Sequence, residues 1–200
     1  MYKFIILYFF SLQFAQAQLS KTDIFNPKLD SLLFEEDYWE TELTDMTDLN
    51  SVVQYIHSDP FRSYFISNIP AGNPLMRDIS VNSFYGARNH PIHNVVKFHR
   101  GIDLAGQMGE KVVSSGNGYV LETGFKADLG NYIKIRHKYG FEAIYGHLSK
   151  VNVKKGQPVT KNQVIGKVGA TGKVTGPHLH YTLKKNEGYL DPFDFLFMSF

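Results

Sequence analysis

Apolar and polar positions divide the chain into three textures. The first is a run of apolar residues: Lys3 precedes residues 4–10 (FIILYFF), the run trails on to Phe14, and Ala15-Gln16-Ala17 follows with small-x-small spacing. A positive start, an apolar stretch shorter than the ~20 residues of a membrane span and a small-residue cleavage site predict a secretory signal over residues 1–17. The second texture has helical period. Asn26-Pro27 is an N-cap followed by Pro at the first helical position, and Leu29, Leu32 and Leu33 continue one stripe to about Trp39. Leu49, Val52, Val53 and Ile56 form a second stripe, ended by Asp59-Pro60.

After Ile69-Pro70 the period changes to two. Short runs rich in Val, Ile and Tyr alternate with Gly turns, predicting strands near residues 111–114, 118–123, 131–137, 142–147, 163–168 and 178–183. No helix of ordinary length fits between residues 100 and 190, which removes Rossmann and α/β-barrel folds. The expected fold is an all-β core of Gly-rich antiparallel sheets with a short N-terminal α-helical appendage. The division follows: signal 1–17, acidic helical appendage 18–80, core domain 81–196.

Composition sharpens this picture. At 200 residues and 43% hydrophobic the chain can bury a real core, and its zero cysteines exclude a disulfide scaffold, a Cys-based zinc site and a cysteine nucleophile. The formal net charge of +2 conceals a split. Residues 20–80 carry 11 acidic and 4 basic side chains, whereas residues 88–185 carry 16 basic and 5 acidic. The basic part could face an anionic polymer, and the acidic part could pack on the basic part or repel that same polymer. The lysines are spread singly, with no recognition-helix or RNA-binding aromatic signature, so no nucleic-acid partner is expected. Nothing after the signal reaches membrane-spanning length.

Histidines carry the candidate chemistry. His99 and Asp103 are four residues apart, and Gly101 between them favours an extended segment or a bend over a helix. His178 and His180 flank Leu179, so on a strand both imidazoles face one way and Leu179 the other. His147 closes the predicted strand before it. Two His, one Asp and a water complete a tetrahedral zinc site with an open position. Using both His178 and His180 beside His99 and Asp103 would close that shell, so one of the pair is expected to bind and the other to stand beside the metal and move protons.

Four ordered blocks carry a resemblance. They are residues 84–92 (FYGARNHPI), 98–105 (FHRGIDLA), 145–149 (YGHLS) and 169–181 (GATGKVTGPHLHY). Together they resemble the lysostaphin-type, LytM or M23, zinc metallopeptidases over roughly residues 83–194. Val174 and Gly146 stand where that family often has Ser and Ala, and neither removes a functional group. The resemblance implies one Zn²⁺ per chain held by His99, Asp103 and His180, with His147 and His178 as the catalytic histidines. It implies an exported endopeptidase of the cell envelope that hydrolyses peptidoglycan cross-link peptides. The family includes enzymes that cut glycine bridges and enzymes that cut D-alanyl cross-links. Glycine-bridge enzymes often carry a wall-targeting domain, for which 200 residues leave no room, so a D,D-endopeptidase is expected. The alternative is a non-catalytic, metal-retaining activator or binding module for another wall hydrolase. Among the remaining titratable groups, His57 suits a helix end, His137 is expected to face solvent, and His90 or His93 could line the groove. Arg88 could pair with a substrate carboxylate or with a structural Asp.

Overall fold

The computed structural model describes residues 62–89 and 96–198. The signal segment, the two predicted appendage helices, His57, His90 and His93 lie outside the described residues. Described first is α1 (Arg62–Asn68), a helix that the sequence pattern does not predict. Seven residues cannot hold a helix in water. This one persists because Phe65 and Ile66 are 2% and 1% exposed, as are Ile69 at 0% and Ala71 at 1% just beyond it.

The rest is built on antiparallel strands, as expected. A large sheet has the order β1 (Val81–Ser83), β4 (Ile102–Ala105), β12 (His178–Lys185), β8 (Phe141–Leu148), β7 (Gly130–Arg136), β6 (Gly118–Lys126) and β10 (Pro158–Val159), with β13 (Gly188–Leu190) pairing on β12. A three-stranded sheet runs β5 (Lys111–Val113), β11 (Val164–Lys167), β9 (Lys150–Val151), and β2 (Gly86–Asn89) pairs with β3 (Val96–His99). The short helix α2 (Phe193–Leu196) follows β13. Among the described residues no helix is long and apolar enough to cross a membrane.

Alternation fixes the two faces of the large sheet. On β12, Leu179, Tyr181 and Leu183 are fully buried, and they pair with Leu104 and Ile102 on β4 and with Tyr145 and Ala143 on β8. Ile133 and Ile135 extend this core on β7. Burying that row is the main driving force for the sheet, at about 1.5–3 kcal/mol per large apolar side chain. His178, His180 and Thr182 therefore lie on the opposite face of β12. Tyr145 and Tyr181 are core residues whose hydroxyls both reach Ser115 Oγ, at 2.8 and 2.7 Å.

One expectation is overturned. His137, predicted to face solvent, is 5% exposed. It follows β7 and turns inward, its Nδ1 donating to the Asn117 carbonyl at 2.8 Å.

Candidate metal centre

Four strands deliver the site. His99 ends β3, and the chain bends at Arg100-Gly101, so Asp103 arrives on β4 instead of on the same strand or helix. The bend must pass close to β12. A Cβ on Gly101 would lie 2.6 Å from Thr182 Oγ1, 2.7 Å from the Tyr181 carbonyl oxygen and 2.8 Å from His180 Cε1. Only glycine fits there. His180 is then paired directly with Asp103 across β4 and β12.

His147 reaches the site by a different device. In the β8–β12 ladder Tyr145 faces Tyr181 and Gly146 faces His180. Strict alternation would send His147 to the core side with Tyr145. On the other edge of β8, however, Leu148 pairs with Asn131 and Tyr145 with Ile133, so β8 holds one extra residue. His147 itself has φ of 60°, in the left-handed region. This bulge turns the imidazole onto the site face, where its ring centroid lies 4.7 Å from that of His178 and 5.7 Å from that of His180. A non-glycine residue held there costs about 1–3 kcal/mol, and such strain gathers at functional sites.

Three side chains converge on one point. His99 Nε2 lies 3.2 Å from His180 Nδ1 and 3.2 Å from Asp103 Oδ1, and the last two atoms are 2.8 Å apart. Tetrahedral ligands 2.0–2.1 Å from a zinc ion stand about 3.3 Å from one another. Two imidazoles and a carboxylate at this spacing fit one Zn²⁺, with a fourth position left for water or substrate. His178 Nε2 stands just outside, 3.7 Å from Asp103 Oδ1.

Each imidazole is oriented from behind. His99 Nδ1 donates to the Phe84 carbonyl at 2.8 Å, His147 Nδ1 to the Thr171 carbonyl at 2.9 Å, and His178 Nδ1 to the Gly176 carbonyl at 2.9 Å. His180 is anchored through Nε2, 3.0 Å from Thr182 Oγ1. The nitrogen left over is Nε2 in His99, His147 and His178 and Nδ1 in His180. Burial would raise the Asp103 carboxyl, but hydrogen bonds from His180 and His99 outweigh it and hold the group well below the ordinary carboxylate range. Burial pushes the His147 imidazole down to about 4, against the opposing pull of its Thr171 hydrogen bond.

Comparison with known proteins agrees with this geometry. The sequence model of peptidase family M23 matches residues 97–192. The catalytic domain of lysostaphin from Staphylococcus simulans is 33% identical, and the match covers 59% of this chain and 92% of that domain with a TM-score of 0.54. The chain belongs to peptidase family M23. Two curated relatives match over about half of the chain. The peptidoglycan DD-endopeptidase ShyA of Vibrio cholerae serotype O1 is 46% identical over 102 residues, 51% of this chain and 24% of that protein. The DD-carboxypeptidase/endopeptidase Mpg of Neisseria meningitidis serogroup B is 41% identical over 112 residues, 56% of this chain and 26% of that protein. The chain thus spans about a quarter of the length of these curated relatives.

Sequence reasoning names the five polar side chains at this M23 centre but not their supports. Arg88, left open between a substrate and a structural carboxylate, has Nη1 3.6 Å from Asp103 Oδ2 and donates to Ser83 Oγ at 2.6 Å. Thr182 was missed altogether. The available signal was its position two residues beyond His180 on the same strand face.

Proposed function

We propose that this chain is an exported zinc endopeptidase that hydrolyses the peptide cross-links of peptidoglycan, with D,D bonds as its target. The observation that carries the reading is the convergence of His99, Asp103 and His180 on one tetrahedral edge set, with the rings of His147 and His178 beside it. Curated relatives named as peptidoglycan DD-endopeptidase and DD-carboxypeptidase/endopeptidase support the substrate class and the bond.

His99 Nε2, Asp103 Oδ1 and His180 Nδ1 would hold the ion. Bound there, zinc supplies Lewis acidity, which acidifies water and polarises a peptide carbonyl. The chain's own part is proton handling and orientation. With its Nδ1 proton tied to Thr171, His147 keeps Nε2 unprotonated and able to take a proton from the attacking water. His178, tied likewise to Gly176, presents a second Nε2 on the Asp103 side, suited to steady the developing oxyanion or protonate the leaving amine once charged. No Glu base is required.

The test is digestion of purified sacculi and of soluble cross-linked peptide dimers, with product analysis by mass spectrometry. Cleavage at the D-alanyl cross-link that stops with a chelator and returns with Zn²⁺ is the expected result. A zinc-loaded protein inert on every wall type would refute it.

A further inference from the structure

The three-stranded sheet carries an arrangement that folding does not favour. Lys111 on β5 pairs directly with Lys167 on β11, and Lys167 pairs directly with Lys150 on β9. Directly opposed residues of neighbouring strands project from the same face, with Cα atoms about 4.5–5.5 Å apart. All three lysines are exposed, and none of their ammonium groups has a carboxylate or hydrogen-bond partner among the described residues. Like charges so placed repel and cost stability. In the next register position Val112 is fully buried opposite Gly166, so the lysines occupy the outer face of this sheet.

The row is close to the chemistry along the chain. Lys150 follows His147 by three residues, which limits their Cα separation to about 11 Å. Lys167 precedes Gly169 by two, and Gly169 is bridged to His178. At its Lys111 end the row meets an open depression of about 350 Å³ lined by Leu75, Met76, Val113 and Val164 together with Asn162 and Glu110, whose carboxylate is already paired with Arg77.

We infer that Lys111, Lys167 and Lys150 form a docking surface for carboxylate-bearing peptides of the wall polymer, beyond the cross-link being cut. This rests on the wall-hydrolase reading above. Repeated carboxylates answer the cationic row, and short side chains such as alanine methyls fit the apolar depression, a concave shape that neither a flat bilayer nor a polyphosphate chain would use. The excess of 16 basic over 5 acidic residues in positions 88–185 adds long-range attraction to the same partner.

The test uses the full chain with lysines neutralised (K111Q/K150Q/K167Q) and the single reversal Lys167→Glu. Binding is read by pelleting with purified sacculi, in a His147→Ala background so that hydrolysis does not interfere, and turnover is read separately on a short cross-linked peptide pair. The neutralised row is expected to lose at least tenfold in sacculus binding at low salt while kcat/KM on the short pair changes less than twofold. Lys167→Glu gains two opposite-charge neighbours, so its Tm is expected to hold or rise while binding falls. A merely structural role would not move the two in opposite directions. Unchanged pelleting of either variant would overturn the inference, as would equal binding to sacculi whose carboxylates have been amidated. Row-dependent binding to anionic vesicles or to nucleic acid but not to sacculi would assign the surface to another partner and overturn it too. Absence of cleavage of both substrates by the unmutated chain would instead refute the hydrolase reading and leave the pelleting result standing.

Discussion

Each of the four imidazoles at the centre has one nitrogen spent on a fixed oxygen, and this decides what the other can do. Three of those oxygens are backbone carbonyls, which substitution cannot remove. The exception is Thr182 Oγ1 behind His180. Thr182→Val keeps the shape and deletes the acceptor, so zinc affinity is expected to fall about 10–100-fold, measured by competition with a chelator, while the metal-free Tm changes little. The roles of the direct contacts separate by a different pair of variants. Asp103→Ala removes the one anionic donor and is expected to abolish zinc loading. His147→Ala is expected to load zinc fully and lose ~10²–10⁴-fold in kcat, because its Nε2 lies outside the three-atom cluster. Full zinc content in Asp103→Ala would overturn the ligand assignment.

At the scale of elements, the site depends on two irregularities, the bend at Gly101 and the bulge at His147. Gly101→Ala forces a methyl group to within 2.6–2.8 Å of three atoms of β12. It is expected to lower both stability, by about 1–3 kcal/mol in urea melts, and zinc affinity, because His180 moves with the strand. These irregularities also mark where sequence reading stopped. The six predicted strands all exist: β6, β7, β8 and β12 run seven to nine residues, long enough for alternation to register, and the shorter β5 and β11 show through their Val and Ile content. Missed strands such as β1, β9, β10 and β13 have two or three residues, too few to show a period. The HxH spacing placed His178 and His180 on one face without help. For His147 the same alternation rule gives the wrong face, because one extra residue in β8 leaves no mark on composition. His137 was misread for a related reason: it lies past the end of β7, where alternation gives no instruction, and the Asn117 loop covers it. Burial pushes its imidazole down to about 4, and its Nε2 has no hydrogen-bond partner. In the unfolded chain the group titrates near ~6.5, so between those values the unfolded state binds more protons and stability falls as pH falls. The native protein is expected to lose about 2–3 kcal/mol more than His137→Gln between pH 7 and pH 4.5. Equal pH slopes for the two proteins would refute the buried neutral assignment.

For the whole molecule, what matters is where the working domain begins. Residues 62–75 are woven into it. Lys161 Nζ donates to the carbonyls of Ile66, Ala71 and Ser115, Asn117 N–H donates to Ser67, and Gly72 N–H to Phe195. With Phe65, Ile66 and Ile69 each contributing roughly 1.5–3 kcal/mol by burial, removing this stretch consumes much of an ordinary stability of about 5–15 kcal/mol. A chain lacking residues 18–80 is therefore expected to lose its cooperative melt, whereas one lacking 18–60 keeps it. The second truncation also isolates an electrostatic effect. Residues 20–60 hold 10 acidic and 2 basic side chains, a net of −8, in a chain whose total is only +2. Deleting them leaves a strongly cationic protein, which on the proposed function would meet an anionic polymer. Its rate on sacculi is expected to exceed that of the full chain at low ionic strength and to converge with it above about 0.5 M salt, where the screening length is only a few ångströms. On a short uncharged peptide substrate the two should match at any salt. Equal rates on sacculi at low salt would show that the acidic segment does not govern encounter with the wall, and a rise on the short peptide would point instead to obstruction of the metal centre.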